Sequence, residues 1–141
     1  TKGYAIGSTT GYTDKMMEIV APAAKEKGYE PDCWFSPDST EQKGRPYPYM
    51  IYRNMEKLGI MDVRKVIKVG DTVSDIKEGK NAGVYTVGIV EGSSAMGLSM
   101  EEYEALSPED REYACKTVSR KFLEAGADWV VRDIRGVLEL I

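Results

Sequence analysis

The stretch Val66-Ile67-Lys68-Val69-Gly70-Asp71-Thr72-Val73-Ser74-Asp75 decides how the other residues are read. A β-branched run bounded by glycine predicts a short buried strand of a parallel sheet. In open parallel α/β sheets, ligands sit just beyond the carboxyl ends of the strands. Asp71 is therefore expected to project into that crevice, with Asp75 about one helical turn behind it on the next helix. Paired carboxylates there suit a hard cation such as Mg2+, which takes oxygen ligands and keeps some of its waters. A plain turn in which Asp71 or Ser74 caps the following helix fits the same residues.

Strand and helix signals alternate on both sides of this stretch. Tyr4-Ala5-Ile6 predicts a strand that ends at Gly7-Ser8-Thr9-Thr10-Gly11-Tyr12. Thr13 can cap a helix with Met16, Met17, Val20 and Ala24 on one face and Gly28 as its left-handed stop. Pro22 is expected to kink or shorten that helix. Asp32-Cys33-Trp34-Phe35 reads as a second strand, followed by a polar loop to Gly44-Arg45-Pro46-Tyr47-Pro48. From Pro48, a plausible first helical residue, Ile51, Met55 and Leu58 keep helical spacing up to Gly59.

Beyond the central strand, a short helix closes at Asn81-Ala82-Gly83, and Tyr85-Thr86-Val87-Gly88-Ile89-Val90 is a strand. Ser99 with Glu102 forms a capping box, and Ser107-Pro108 with Asp110 starts a helix that places Ala114, Val118, Phe122 and Ala125 together before Gly126. Asp128-Trp129-Val130-Val131 is a last strand, and Asp133 caps a helix with Ile134, Val137, Leu138 and Ile141 inward. The predicted class is α/β, with a mostly parallel Rossmann-like sheet and helices on both faces. The whole of 1–141 reads as one domain.

A net charge of −4 and a pI near 5.0 argue against nucleic acid as a partner. Anionic substrates must then be bound locally, by a cation, an arginine or backbone N–H groups. Cys33 and Cys115 match no metal or redox spacing, which favours a reducing, cytoplasmic setting. No apolar run approaches the roughly 18 residues of a membrane span, and no signal-peptide pattern is present, so no membrane partner is expected. The sequence has no histidine, so histidine triads and histidine-ligated zinc are excluded within these residues. It opens at Thr1-Lys2-Gly3 without an initiator methionine, and is expected to be a piece of a longer protein.

Three strand-end loops carry polar chemistry. Gly7-Ser8-Thr9-Thr10-Gly11 offers hydroxyls and backbone N–H groups just before a helix, which suits an anion or simply caps that helix. Gly44-Arg45-Pro46-Tyr47-Pro48 holds a permanent cation between prolines, suited to bidentate contact with phosphoryl oxygens or to solvation at the surface. Gly70-Asp71…Asp75 supplies the acids. Each has an ordinary explanation, but their joint order does not.

That order resembles the haloacid dehalogenase superfamily, in which a Ser/Thr motif, a basic motif and a GDxxxD motif assemble around Mg2+. Ile6-Gly7-Ser8-Thr9-Thr10-Gly11-Tyr12-Thr13, Gly44-Arg45-Pro46-Tyr47-Pro48 and Val69-Gly70-Asp71-Thr72-Val73-Ser74-Asp75 are similar to its phosphonoacetaldehyde hydrolase (phosphonatase) family, where arginine replaces the usual lysine. Lys77-Glu78-Gly79-Lys80-Asn81-Ala82-Gly83 and Gly92-Ser93-Ser94 fit as well. The resemblance implies C–P bond hydrolysis to acetaldehyde and phosphate, with Mg2+ as cofactor and a small phosphonate as substrate. It implies Asp71 as a Mg2+ ligand, and Asp75 and Arg45 as catalytic-site residues. Ser8, Thr10, Gly11, Tyr12 and Arg45 would contact substrate.

The family's attacking aspartate and its Schiff-base lysine, on a helical cap, have no counterpart here. The chain is thus expected to be the C-terminal part of the core domain, inactive by itself. The strand bearing the aspartate would lie between the Tyr4–Ile6 and Val66–Val69 strands. Its absence leaves a slot that direct pairing of the two strands could close, that a second copy could fill as a homo-oligomer, or that the missing N-terminal half could occupy; self-association is the expected outcome. A phosphate-ester phosphatase of the same superfamily, a non-catalytic receiver-like Mg2+-binding module and an inactive remnant are the alternatives.

Overall fold

The computed structural model describes residues 3–141. Strands β1 (Gly7–Thr9) and β2 (Cys33–Phe35) pair in parallel, with Ser8 opposite Trp34. Strands β3 (Ile67–Gly70), β4 (Tyr85–Ile89) and β5 (Trp129–Val131) form a second parallel sheet in that order. Helices α1 (Asp14–Glu26), α2 (Tyr49–Leu58), α3 (Val73–Ala82), α4 (Met100–Ala105) and α5 (Pro108–Glu124) connect or follow them.

Glycines record which helices cover which face. A Cβ at Gly70 would overlap Asp75 of α3, and one at its register partner Gly88 would overlap Phe122 of α5. Both helices therefore lie on one face. A Cβ at Gly136 would press on Val131, which pairs with Ile89, so the 3-10 segment Ile134–Glu139 covers the opposite face. Ile76, Val90, Cys115, Val118 and Phe122 make one buried cluster, while Ile51, Met55, Ala82 and Val84 make a second between α2 and α3.

Several boundaries differ from expectation for local reasons. The first strand falls at Gly7–Thr9 rather than Tyr4–Ile6. The Asp32 carboxylate takes the Ile6 N–H at 2.7 Å, and the Asp32 N–H takes the Ile6 carbonyl, so Ile6 is bridged without being a strand residue. Pro22 does not shorten α1, whose last turn is closed by the Lys27, Gly28 and Tyr29 amides. Pro48 is the cap of α2 and not its first residue. Thr72, neither Asp71 nor Ser74, caps α3 by accepting from the Asp75 N–H, which leaves the Asp71 side chain out of the cap. The final helix is a 3-10 turn, whose threefold repeat does not keep an α-helical stripe together, so Ile134 and Leu138 are exposed.

The two sheets do not pair with each other: among the described residues β1 bonds only β2, and β3 only β4. Side chains span the seam instead. Lys68 Nζ of β3 donates to Thr9 Oγ1 of β1 at 2.8 Å, and Thr9 Oγ1 donates to Glu78 Oε1 of α3 at 3.0 Å.

Gly88→Ala is expected to cost about 1–3 kcal/mol, because the added methyl meets a fully buried phenyl ring; an unchanged melting temperature would contradict this contact. The strand edges at the seam should make the isolated chain associate as concentration rises. Light scattering that reports a monomer at every concentration would refute that expectation.

Candidate active site

Parallel strands bring their carboxyl ends to one edge, and the polar loops follow from there. Thr10 leaves β1, the Arg45 loop comes after β2, Asp71 leaves β3, and Ser93-Ser94 follow β4.

Asp75 is the centre of the cluster. Its side chain is 6% exposed. Oδ1 accepts from Arg45 Nη1 at 2.7 Å and lies 3.1 Å from Lys68 Nζ. Oδ2 accepts from Thr72 Oγ1 at 2.7 Å and from the Asp71 N–H at 3.3 Å. Burial pushes this carboxyl up, but Lys68, Thr72 and Arg45 together outweigh it and hold it below the usual carboxylate range. Gly70 makes this packing feasible, since any side chain there would occupy the space of Asp75.

Arg45 reaches back toward the first loop. A Cβ on Gly11 would stand 3.5 Å from Arg45 Nη2, so the guanidinium and the Gly11 backbone face each other closely. The arginine loop is tied to α3 through Asn81 Nδ2, which donates to the Pro46 carbonyl at 2.8 Å. Thr10 accepts from the Tyr12 N–H at 3.1 Å, an ordinary hydroxyl turn that fixes the loop, and its own N–H bonds the Phe35 carbonyl. Tyr12 is 46% exposed at the rim. Ser8 is not drawn into the cluster by any described contact: it lies mid-strand, and its carbonyl is held by Asn54.

Asp71 is half-buried, and its Oδ2 accepts from both the N–H and the hydroxyl of Ser94, each at 3.0 Å. Among the described residues Oδ1 has no such donor, so it can face a cation. Asp75 cannot do so without giving up a donor. No group of three or more acidic, cysteine or histidine side chains gathers among the described residues. These residues thus offer a cation a single carboxylate oxygen, and the rest of an oxygen shell would have to come from other groups.

Contacts link Arg45, Asp71 and Asp75 and bring Arg45 to Gly11, beside Thr10, while the sequence reading gives no role to Lys68 or Thr9. Lys68 was part of an apolar run. A lone lysine between Ile67 and Val69 in a buried strand was the available signal, because a buried ammonium requires acceptors. It finds Thr9, Asp75 and Glu78, the last at 2.7 Å.

Comparison with known proteins places the chain among relatives of one family. The family model described as haloacid dehalogenase-like hydrolase matches residues 12–89. A phosphonoacetaldehyde hydrolase of Lysinibacillus sphaericus is 51% identical over 139 residues, covering 99% of this chain and 52% of that protein. A bifunctional phosphonoacetaldehyde hydrolase/aminoethylphosphonate transaminase of Clostridioides difficile is 47% identical over 99% of this chain and 22% of its own length. The crystal structure of a phosphonoacetaldehyde hydrolase-like protein from Oleispira antarctica superposes with a TM-score of 0.90 at 32% identity, over 99% of this chain and 50% of that one. The chain thus spans about half the length of the single-function relatives it matches. With the family model covering more than half of its residues and the strand-end cluster in place, the chain belongs to the haloacid dehalogenase-like hydrolases.

Proposed function

We propose that these 141 residues are the C-terminal core portion of a phosphonoacetaldehyde hydrolase, and that they supply its phosphonate-binding and Mg2+-binding elements. The observation that carries this reading is the Arg45 guanidinium, pinned by Asp75 and turned toward the backbone of Gly11. A planar cation facing the backbone of Gly11 matches the oxygens of a phosphonate.

In this reading Arg45, the Thr10 hydroxyl and the Gly11 N–H hold the phosphonate and offset charge that develops on its oxygens. Ser8 lies behind that loop and Tyr12 closes one side. Asp71, oriented by Ser94, holds Mg2+, which when bound supplies positive charge at the phosphoryl group. Asp75 acts as the anchor of Arg45. The reaction is hydrolysis: the C–P bond breaks, phosphorus gains an oxygen from water, and the released carbon takes a proton to give acetaldehyde. The attacking carboxylate and the imine-forming lysine belong to the remainder of the longer enzyme, so partnership with that half completes the site.

The isolated chain is expected to release no acetaldehyde from phosphonoacetaldehyde, since loss of a covalent nucleophile costs about 10^4-fold or more. Mixing in the separately produced N-terminal remainder of the Lysinibacillus relative should restore release, without comparable turnover of phosphate esters. Turnover by the chain alone would overturn this assignment, and preference for esters would favour a phosphatase.

Binding can be read without turnover. Inorganic phosphate should shift the Thr10 and Gly11 amide resonances, and Arg45→Gln should weaken that binding by about tenfold or more. Mg2+ should bind weakly and lose affinity in Asp71→Asn. Equal affinities in the parent and variant chains would remove the residue concerned from the site.

A further inference from the structure

We propose that Lys68 is a positioning residue for the anion site: it locks Asp75 and Thr9 to one ammonium, so that Arg45 and the Thr10-Gly11 loop face the same point. The inference rests on the reading of that loop and Arg45 as the phosphonate site.

Lys68 shares a face of β3 with Gly70, two residues on, and both look toward α3. Its side chain is 11% exposed and Glu78 is wholly buried. Three acceptors surround its three donors: Glu78 Oε1 at 2.7 Å, Thr9 Oγ1 at 2.8 Å and Asp75 Oδ1 at 3.1 Å. Arg45 and Lys68 offset Asp75 and Glu78, so the chain Glu78–Lys68–Asp75–Arg45 is formally neutral.

Such a cluster is a poor way to gain stability. Removing charges from water costs about as much as their attraction returns, and apolar residues of like volume often serve as well or better. What the arrangement does provide is geometry. Thr9 immediately precedes Thr10, and Asp75 Oδ1 is the atom to which Arg45 is pinned. One ammonium thus sets the spacing between the end of β1 and the base of the arginine. It does so across a seam where, among the described residues, no backbone hydrogen bond joins the two sheets. Without Lys68, the direct side-chain link left between β1 and α3 among the described residues is the bond from Thr9 to Glu78, beside the packing of α2 on both. Glu78 Oε2 is buried with no partner among the described residues, so Oε1 alone carries this carboxylate's bonds to Lys68 and Thr9.

Lys68→Met alone strands the Glu78 charge, so the test uses Lys68→Met/Glu78→Gln, with Glu78→Gln as control and Thr9→Val as a second variant that alters no charge. Titration with inorganic phosphate, followed by Thr10 and Gly11 amide shifts, should show affinity about tenfold lower in the double variant, the order seen when partners behind a direct ligand are lost. Thr9→Val should weaken binding severalfold. Glu78→Gln should stay near the parent, because a glutamine oxygen still accepts from Lys68 and Thr9. Amide shifts of Val118 and Phe122 in α5 should not move, as they would if the whole fold loosened. Parent-like affinity in both the double variant and Thr9→Val overturns the proposal.

If the parent chain itself binds no phosphate and Arg45→Gln changes nothing, the site reading fails first. The Asp75 carboxyl carbon shift and the Thr9 and Thr10 amide shifts then decide for Lys68. Movement in the double variant but not in Glu78→Gln upholds the positioning role, and no movement rejects it. Should the double variant fail to fold, Thr9→Val decides by the same readings.

Discussion

The carboxylate of Asp75 is where the structure is joined. One buried group accepts from the arginine of the loop after β2, from Lys68 of β3, from the cap of its own helix and from the backbone of Asp71. A buried anion with unfilled acceptor sites would cost several kcal/mol. Four donors arriving from separate segments therefore constrain one another as much as they satisfy the acid. Asp71 inherits its place from this arrangement, because its N–H is one of the four and Ser94 fixes the other end of the residue.

Much of this was legible in the residues. The alternation of strand and helix, the left-handed glycines at 59 and 83, and the Ser99/Glu102 capping box all carry local signals that tertiary contacts did not overrule. The joint order of hydroxyl loop, arginine and paired acids points to one neighbourhood because strand ends of a parallel sheet share one edge. What failed was set by partners remote in sequence. Ile6 is bridged by Asp32, twenty-six positions away, so the strand starts later than its β-branched residue suggests. Lys68 reads as an interruption of an apolar run until Thr9, Asp75 and Glu78 are seen around it. The last segment failed for a different reason: a period near three replaced one of 3.6.

The absence of histidine shapes the electrostatics as well as the chemistry. Arginine and lysine stay charged far above neutrality, and Asp75 is held below the ordinary carboxylate range. The Asp75 carboxylate accordingly stays ionised across physiological pH, and its bond to Arg45 keeps its charge-assisted acceptor.

Helix α1 buries a single side chain, Met17, while Met16 and Ile19 are 46% and 76% exposed. It is held mainly at its start, where Thr13 caps it, Asp38 accepts from the Asp14 N–H at 2.7 Å, and the Ser36 hydroxyl bonds the Asp14 carboxylate. A helix with so little buried surface opens locally at a small fraction of the free energy of global unfolding. Its first turn is also the frame that holds Gly11 to Thr13 in place. The occupancy of the ordered helix and the placement of the adjoining loop are thus one linked equilibrium. Whatever covers the exposed Met16 and Ile19 face raises the fraction of chains in which that loop is held in place.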